Sequence, residues 1–177
     1  MVSLSVDTLT FTFSGTIGDA QIYDQWIHYT TVWNASGGQK AVDVVAAETG
    51  APPNVCWMIE GKDFRVITNP PRPSNIGGLA QVVADKVQHS IAGLSDAASH
   101  AVTANEQRLA HLAVSAATKR IVLHLEPHVG NHSALFPSGF AASVLQRMRQ
   151  LVRQIDPNPL VLNIADTPTA GVPWVVT

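Results

Sequence analysis

Three ionisable residues stand out by type and spacing: Asp43, then Glu60 and Lys62 in the run Trp57-Met58-Ile59-Glu60-Gly61-Lys62. Strand side chains alternate between faces, so Glu60 and Lys62 share one face while Trp57, Ile59 and Gly61 share the other. Charges set among so many apolar neighbours are costly unless each has a partner or a task. Asp43 and Glu60 offer the hard oxygen ligands that suit Mg²⁺, an ion that keeps several waters, polarises phosphate and helps generate an attacking hydroxide. The Lys62 ammonium, one pleat from Glu60, suits the orientation of that water and the stabilisation of developing negative charge. Gly61 leaves room around its own carbonyl. The chemistry these groups fit is metal-dependent hydrolysis of a phosphodiester.

The elements that must position them alternate along the chain. Residues 9–13, Leu-Thr-Phe-Thr-Phe, read as a short strand ending at Ser14-Gly15, and residues 18–30 as a helix. Residues 40–47 and 55–67 read as two strands of an antiparallel hairpin, joined by a Gly/Pro-rich turn. The Pro-rich run 69–75 blocks further pairing and leads into a helix over 78–94. Residues 96–119 are alanine-rich and helical, 120–125 form a compact apolar strand, 139–155 a strongly periodic helix, and 160–164 a closing strand. The tail from Pro168 to Thr177 has no evident docking site. Strands and helices on this schedule predict a single α/β domain with a mixed central sheet flanked by helices.

The assembly is more specific than Glu-x-Lys alone. With 16 residues between Asp43 and Glu60, and with Ile59-Glu60-Gly61-Lys62-Asp63-Phe64-Arg65 close to the I-E-x-K-D-F/Y-R form, the chain resembles the PD-(D/E)xK nuclease superfamily. The resemblance covers about residues 18–125, leaving the helix and strand over about 139–165 unmatched, and Val42 stands where the superfamily name has Pro. It implies a restriction-endonuclease-like fold, Mg²⁺ (or Mn²⁺ in its place) held by Asp43, Glu60 and the Gly61 carbonyl, and a nucleic-acid substrate, DNA first. In such enzymes an acidic residue on the first helix often joins the metal site, a place open here to Asp19 or Asp24. The helix after the Glu-x-Lys strand commonly adds a polar residue. Lys86, beside the apolar stripe Leu79, Val83, Val87, Ile91 and Leu94, is the candidate for phosphate contact, against the plainer reading of a snorkelling surface lysine.

Structural readings stand beside the catalytic ones. Glu60 with Lys62, or Asp63 with Arg65, could be buried ion pairs, although such pairs seldom improve stability over apolar packing. His124, His128 and His132 are spaced by four, but a strand-like run and Pro127 preclude one helix through them, which argues against zinc. His28, His89, His100 and His111 read as hydrogen-bonded or surface histidines. Arg147, Arg149 and Arg153 read as a solvated helix face that could also track a nucleic-acid backbone. Ser74-Asn75-Ile76-Gly77-Gly78 lacks the ending of a phosphate-binding P-loop.

Composition bounds the partners. With 177 residues, 46% hydrophobic and 14% charged, the chain can bury one sizeable core, and a formal charge of −2 leaves phosphate contact to a local patch. No apolar run is long enough for a membrane span, no signal-peptide pattern opens the chain, and the single Cys56 suits a reducing compartment, so a cytoplasmic location is expected. The expectation is a Mg²⁺-dependent nuclease of a defence or repair system, acting alone, as a homodimer or with a protein partner. The alternative is a non-catalytic nuclease-fold scaffold within a multisubunit assembly.

Overall fold

The computed structural model describes residues 1–49, 54–65, 76–128 and 133–177, with the side chains of 76 and 77 excepted. Strands β1 (Val2–Val6) and β2 (Leu9–Phe13) form an antiparallel hairpin that turns at Asp7, whose φ of 52° is left-handed. Then come β3 (Ile17–Ile22), a 3₁₀ turn at Tyr23–Gln25, a π-helical turn at Tyr29–Trp33, β4 (Val44–Glu48) and β5 (Val55–Asp63). Helices α1 (Ile76–His100) and α2 (Ala104–Ser115) lead to β6 (Thr118–Glu126), and α3 (Phe140–Leu151) to β7 (Leu160–Leu162) and β8 (Trp174–Val176).

The central sheet runs β3-β4-β5-β6-β7. Its first three strands are antiparallel neighbours, and β5, β6 and β7 are parallel. The result is the mixed α/β sheet that alternating strands and helices predict, with one refinement: all three helices pack on the same face. Their apolar stripes close over Val45, Ala47, Cys56, Met58, Ile121 and Leu123. The other face, with Val44, Ala46, Trp57, Ile59 and Val122, is covered by a second sheet, β1-β2-β8, through Leu9, Phe11, Phe13, Trp174 and Val176. Both faces of the central strands are therefore apolar, as strands covered on both sides require.

Three expectations need correction. Residues 18–30 are not one helix: β3 takes their first part and only short helical turns follow, because the apolar run Val44–Ala47 of β4 needs a ladder partner on each side and finds one in Asp19 to Ile22. The strand over 40–47 begins only at Val44, because the backbone before it is bound elsewhere, with Lys40 N–H donating to His89 Nδ1 and Val42 N–H to Ser90 Oγ. The helical stretch 96–119 is two helices. Thr103, in extended backbone, caps α2 by accepting from Glu106 N–H, and the Thr-x-x-Glu spacing of a capping box marks the break in the sequence. Glu106 does not complete the box but accepts from Ile27 and His28 N–H, tying α2 to the loop after β3. Residues 66 and 67, expected to extend β5, and the Pro-rich run 69–75 lie outside the described residues.

The tail finds its place in β8. Trp174 is buried with its ring edge-on to Trp57 and tilted against Phe13, so the second sheet and the central one share an aromatic seam. Trp174→Ala is expected to lower the unfolding free energy by about 3–5 kcal/mol, the usual loss for a fully packed large aromatic. Urea denaturation checks this, and a loss near zero would show that the second sheet is not part of the cooperative core.

Candidate active site

Register brings the ionisable residues together. Val44 pairs with Ile59, which places Asp43, just before β4, beside Glu60. Along β5 Cys56 and Met58 face the helices while Trp57 and Ile59 face the second sheet, and the alternation continues to put Glu60 and Lys62 on the helix side. Gly61 points to the other side, where a Cβ would sit 3.4 Å from both Val6 and Leu9. The absent side chain there serves the close approach of the β1–β2 hairpin.

Lys86 of α1 completes the group. Its Nζ donates to Asp43 Oδ1 at 3.2 Å and to Glu60 Oε1 and Oε2 at 2.7 and 2.8 Å, while Lys62 Nζ lies 2.7 Å from Glu60 Oε1. Lys86 is thus a part-buried counter-ion shared by two carboxylates rather than a snorkelling surface lysine. Glu60 has no exposed surface, and Lys62 is the most open member, with 30% of its side chain exposed. Asp43 is held from several directions: Gly61 N–H donates to its Oδ2 at 2.8 Å, and its carbonyl accepts from Tyr23 N–H. Ser90, four residues beyond Lys86 and so on the same helix face, accepts from Val42 N–H at 3.0 Å. No motif singles Ser90 out; the spacing from Lys86 was the available signal.

The electrostatics follow from burial. Desolvation, and then the neighbouring Asp43, push the Glu60 carboxyl above the ordinary carboxylate range, against the pull of Lys62 and Lys86. Burial disfavours charge on Lys86, but Glu60 and Asp43 outweigh it and raise its ammonium pKa. Asp24, on the 3₁₀ turn after β3, feels the same site: burial and the Asp43 carboxylate raise its pKa while Lys86 lowers it. Asp19 belongs elsewhere, paired to Arg108 at 2.9 Å on β3. Of the two acidic candidates, Asp24 alone is coupled to the cluster.

Among the described residues, no group of three or more His, Cys, Asp or Glu side chains is arranged to hold a metal. A cation at this site would rest on two carboxylates, a backbone oxygen and water, which is how Mg²⁺ is usually bound. The donors fit: Asp43 and Glu60 already converge on one cationic atom, Lys86 Nζ. Asp43, Glu60 and the Gly61 carbonyl are the groups that would hold the ion, and it would supply a polarised phosphate and an acidified water.

The remaining candidates fall into structural roles. Asp63 and Arg65 do form an ion pair, on the opposite face of β5: Arg65 Nε and Nη2 donate to Asp63 at 2.9 and 2.7 Å, and Thr8 of the β1–β2 turn donates to Asp63 at 2.5 Å. His124 is buried against Phe11 and hydrogen-bonded to Glu126 at 3.0 Å, with its imidazolium disfavoured by burial. His132, the third member of the spaced set, lies outside the described residues. His28 and His100 both bind Asp96, His89 accepts from Lys40 N–H, and His111 is exposed. Arg147 and Arg149 are exposed on α3, and Arg153, expected on the same helix, is exposed in the turn that follows its end at Leu151. Cys56 is buried, its thiol pushed up to about 12. No described helix is long and apolar enough to cross a membrane.

Comparison with known proteins adds little to this geometry. No family model matches the chain, and no solved structure matches it. It is similar to a cysteine–tRNA ligase of Neisseria meningitidis serogroup A, 25% identical over 215 aligned residues. The alignment takes in all of this chain but only 30% of that protein.

Two outcomes test the electrostatics. Lys86→Ala leaves two adjoining carboxylates without their shared counter-ion and is expected to destabilise by about 3–5 kcal/mol at neutral pH. The loss should shrink at pH 5, where protonation relieves the repulsion, and urea unfolding at both pH values measures it. Asp63 has a folded-state pKa of about 2, lowered chiefly by the Arg65 hydrogen bonds. Its stabilisation, on the order of 2 kcal/mol, is present above pH 4 and lost as pH falls towards 2. Asp63→Asn should flatten the fall in thermal midpoint across that window.

Proposed function

We propose that the chain is a Mg²⁺-dependent nuclease of restriction-endonuclease-like architecture that hydrolyses phosphodiester bonds in nucleic acid, DNA first. The observation that carries the reading is the convergence of Asp43, Glu60, Lys62 and Lys86 from the bend before β4, from β5 and from α1 on one face of the sheet, every contact within 3.2 Å. The order of elements around it supports the same reading: an antiparallel pair with Asp43 at the start of one strand and Glu60 in the other, then two helices, then a strand parallel to the second.

The residues divide the work. Asp43 and Glu60 would hold the cation, and burial makes the charge of Glu60 dependent on the opposite charge beside it. Lys62, exposed on the solvent side of Glu60, orients the attacking water and stabilises the negative charge that grows on the phosphoryl oxygens. Lys86 neutralises the carboxylate pair, and its ammonium would be free for the phosphate where a metal supplied that positive charge. A cytoplasmic place in genome defence or repair fits such an enzyme. The low net charge leaves affinity for the backbone to a partner subunit or to local groups such as Arg149 and Arg153.

One observation favours the scaffold reading: Lys86 already satisfies both carboxylates, as a closed structural network would. Metal binding separates the two, since a catalytic pair should take up Mn²⁺ in a titration that Asp43→Ala abolishes. The decisive assay follows labelled single-stranded DNA, duplex DNA and tRNA with Mg²⁺ or Mn²⁺, tRNA being included because the similar ligase is named for it. Metal-dependent cutting is expected, reduced about a hundredfold or more in Lys62→Ala with little change in thermal midpoint. Equal cutting by both proteins, or none by either, would remove the assignment.

A further inference from the structure

Beside Lys62 the helix face of the sheet opens into a cavity of about 200 Å³. Lys62 pairs in register with Leu125 on β6, and Leu125 is a wall of that cavity, with Phe136, Phe140 and Val161 among the other apolar sides. Neighbouring strands lie about 4.8 Å apart, so the hollow begins one strand away from the Lys62 backbone. Phe136 links the two places. Its ring lies 5.0 Å from that of Phe64, two residues beyond Lys62, and 5.3 Å from that of Phe140 at the start of α3.

We infer that this cavity receives an unstacked nucleobase from the strand whose phosphate lies at Lys62. The inference rests on the nucleic-acid reading of that site and adds what the substrate must offer. The volume is below the roughly 300–1,000 Å³ of pockets that enclose whole drug-sized ligands, and suits one ring system with a mouth open to solvent. Aromatic and aliphatic walls match the faces of a base, which every nucleotide presents once it is splayed from its neighbours. The polar lining gives the orientation. Asn163 and the exposed Asp166 stand at the cavity, and a carboxylate there repels phosphate while accepting from an exocyclic amino group. Asn163 Oδ1 is already engaged by Asp166 N–H at 2.8 Å, which leaves its amide NH₂ to donate. The occupant is therefore the base and not the backbone, and amino-bearing bases are preferred over thymine. A duplex cannot place a base there without extrusion, so single-stranded or frayed nucleic acid is the substrate class.

The test is fluorescence anisotropy of labelled single strands in EDTA, so that binding is read whether or not the protein cleaves. The probes are oligo-dC, oligo-dT and an all-abasic strand of equal length. The wild type is expected to bind oligo-dC about tenfold or more tightly than the abasic strand, Phe136→Ala to remove most of that difference, and Asp166→Asn to remove the preference for oligo-dC over oligo-dT. If circular dichroism shows Phe136→Ala unfolded, Val161→Trp, which fills the cavity, replaces it and should give the same loss. Equal affinity for oligo-dC and the abasic strand, no binding of either, a preference for duplex, or an undiminished difference in the folded variants would overturn the pocket. An inactive protein that still discriminates bases would overturn the nuclease reading alone.

Discussion

A carboxylate with no exposed surface cannot stand charged in an apolar sheet unless cations come to it, and Glu60 sets that condition for the molecule. Two ammoniums answer it, one from its own strand and one from α1. The second answer is the more demanding, because Lys86 reaches Glu60 only if α1 crosses the sheet at β4 and β5 with a particular face down. That face is fixed by Ala80, Val83, Ala84 and Val87 in the core on one side and by Ser90 against Val42 on the other. Helix packing and site electrostatics are thus one constraint, and the same contacts that close the core assemble the charge cluster.

The opposite face of β5 has a polar group of its own. Asp63, Arg65, Glu126, His124 and Thr8 join the ends of β5 and β6 to the turn of the β1–β2 hairpin, and Ile164 N–H donates to Glu126 at 2.6 Å to include the segment after β7. Strand parity separates the two clusters: Lys62 belongs to one and Asp63, its neighbour in sequence, to the other. The cluster beneath the second sheet has every mark of a fastening, with its acids paired and its histidine buried under Phe11. Adjacent charges in one strand can therefore differ wholly in role.

The sequence made the middle of the molecule legible and its borders less so. Alternation along 55–62 placed Glu60 and Lys62 on one face because a two-residue period survives any error in strand ends. The long helices and β6 were visible in their periodicity. Residues 18–30 failed because Gly18, Asp19 and Gln21 carry no strong local preference, and edge pairing with β4 decides them from outside the segment. The alternation Val2, Leu4, Val6 against Ser3 and Ser5 carries the same two-residue strand signal. Lys86 was found as a residue type on a helix flank, but its shared bond to two carboxylates depends on how the helix crosses the sheet, which no local pattern encodes. The cavity beside Lys62 was invisible for the same reason, since its walls come from β6, β7, α3 and the turn before α3.

Asp43 and Glu60 are anchored differently. Glu60 lies within β5, paired with Leu123 of β6 and next to the last rung with β4 at Ile59, so its Cα cannot shift without slipping a register that holds the core. Asp43 lies one residue before the β4 ladder begins, in backbone held by the Tyr23 amide and, through its carboxylate, by the Gly61 amide. A change of rotamer or a small turn of that bend exchanges a few local bonds and leaves the sheet intact. The pair thus resembles a vice with one jaw cast into the sheet and the other bolted to a bend: a substitution that alters the spacing between the two acids without breaking the ladder must act on the Asp43 side.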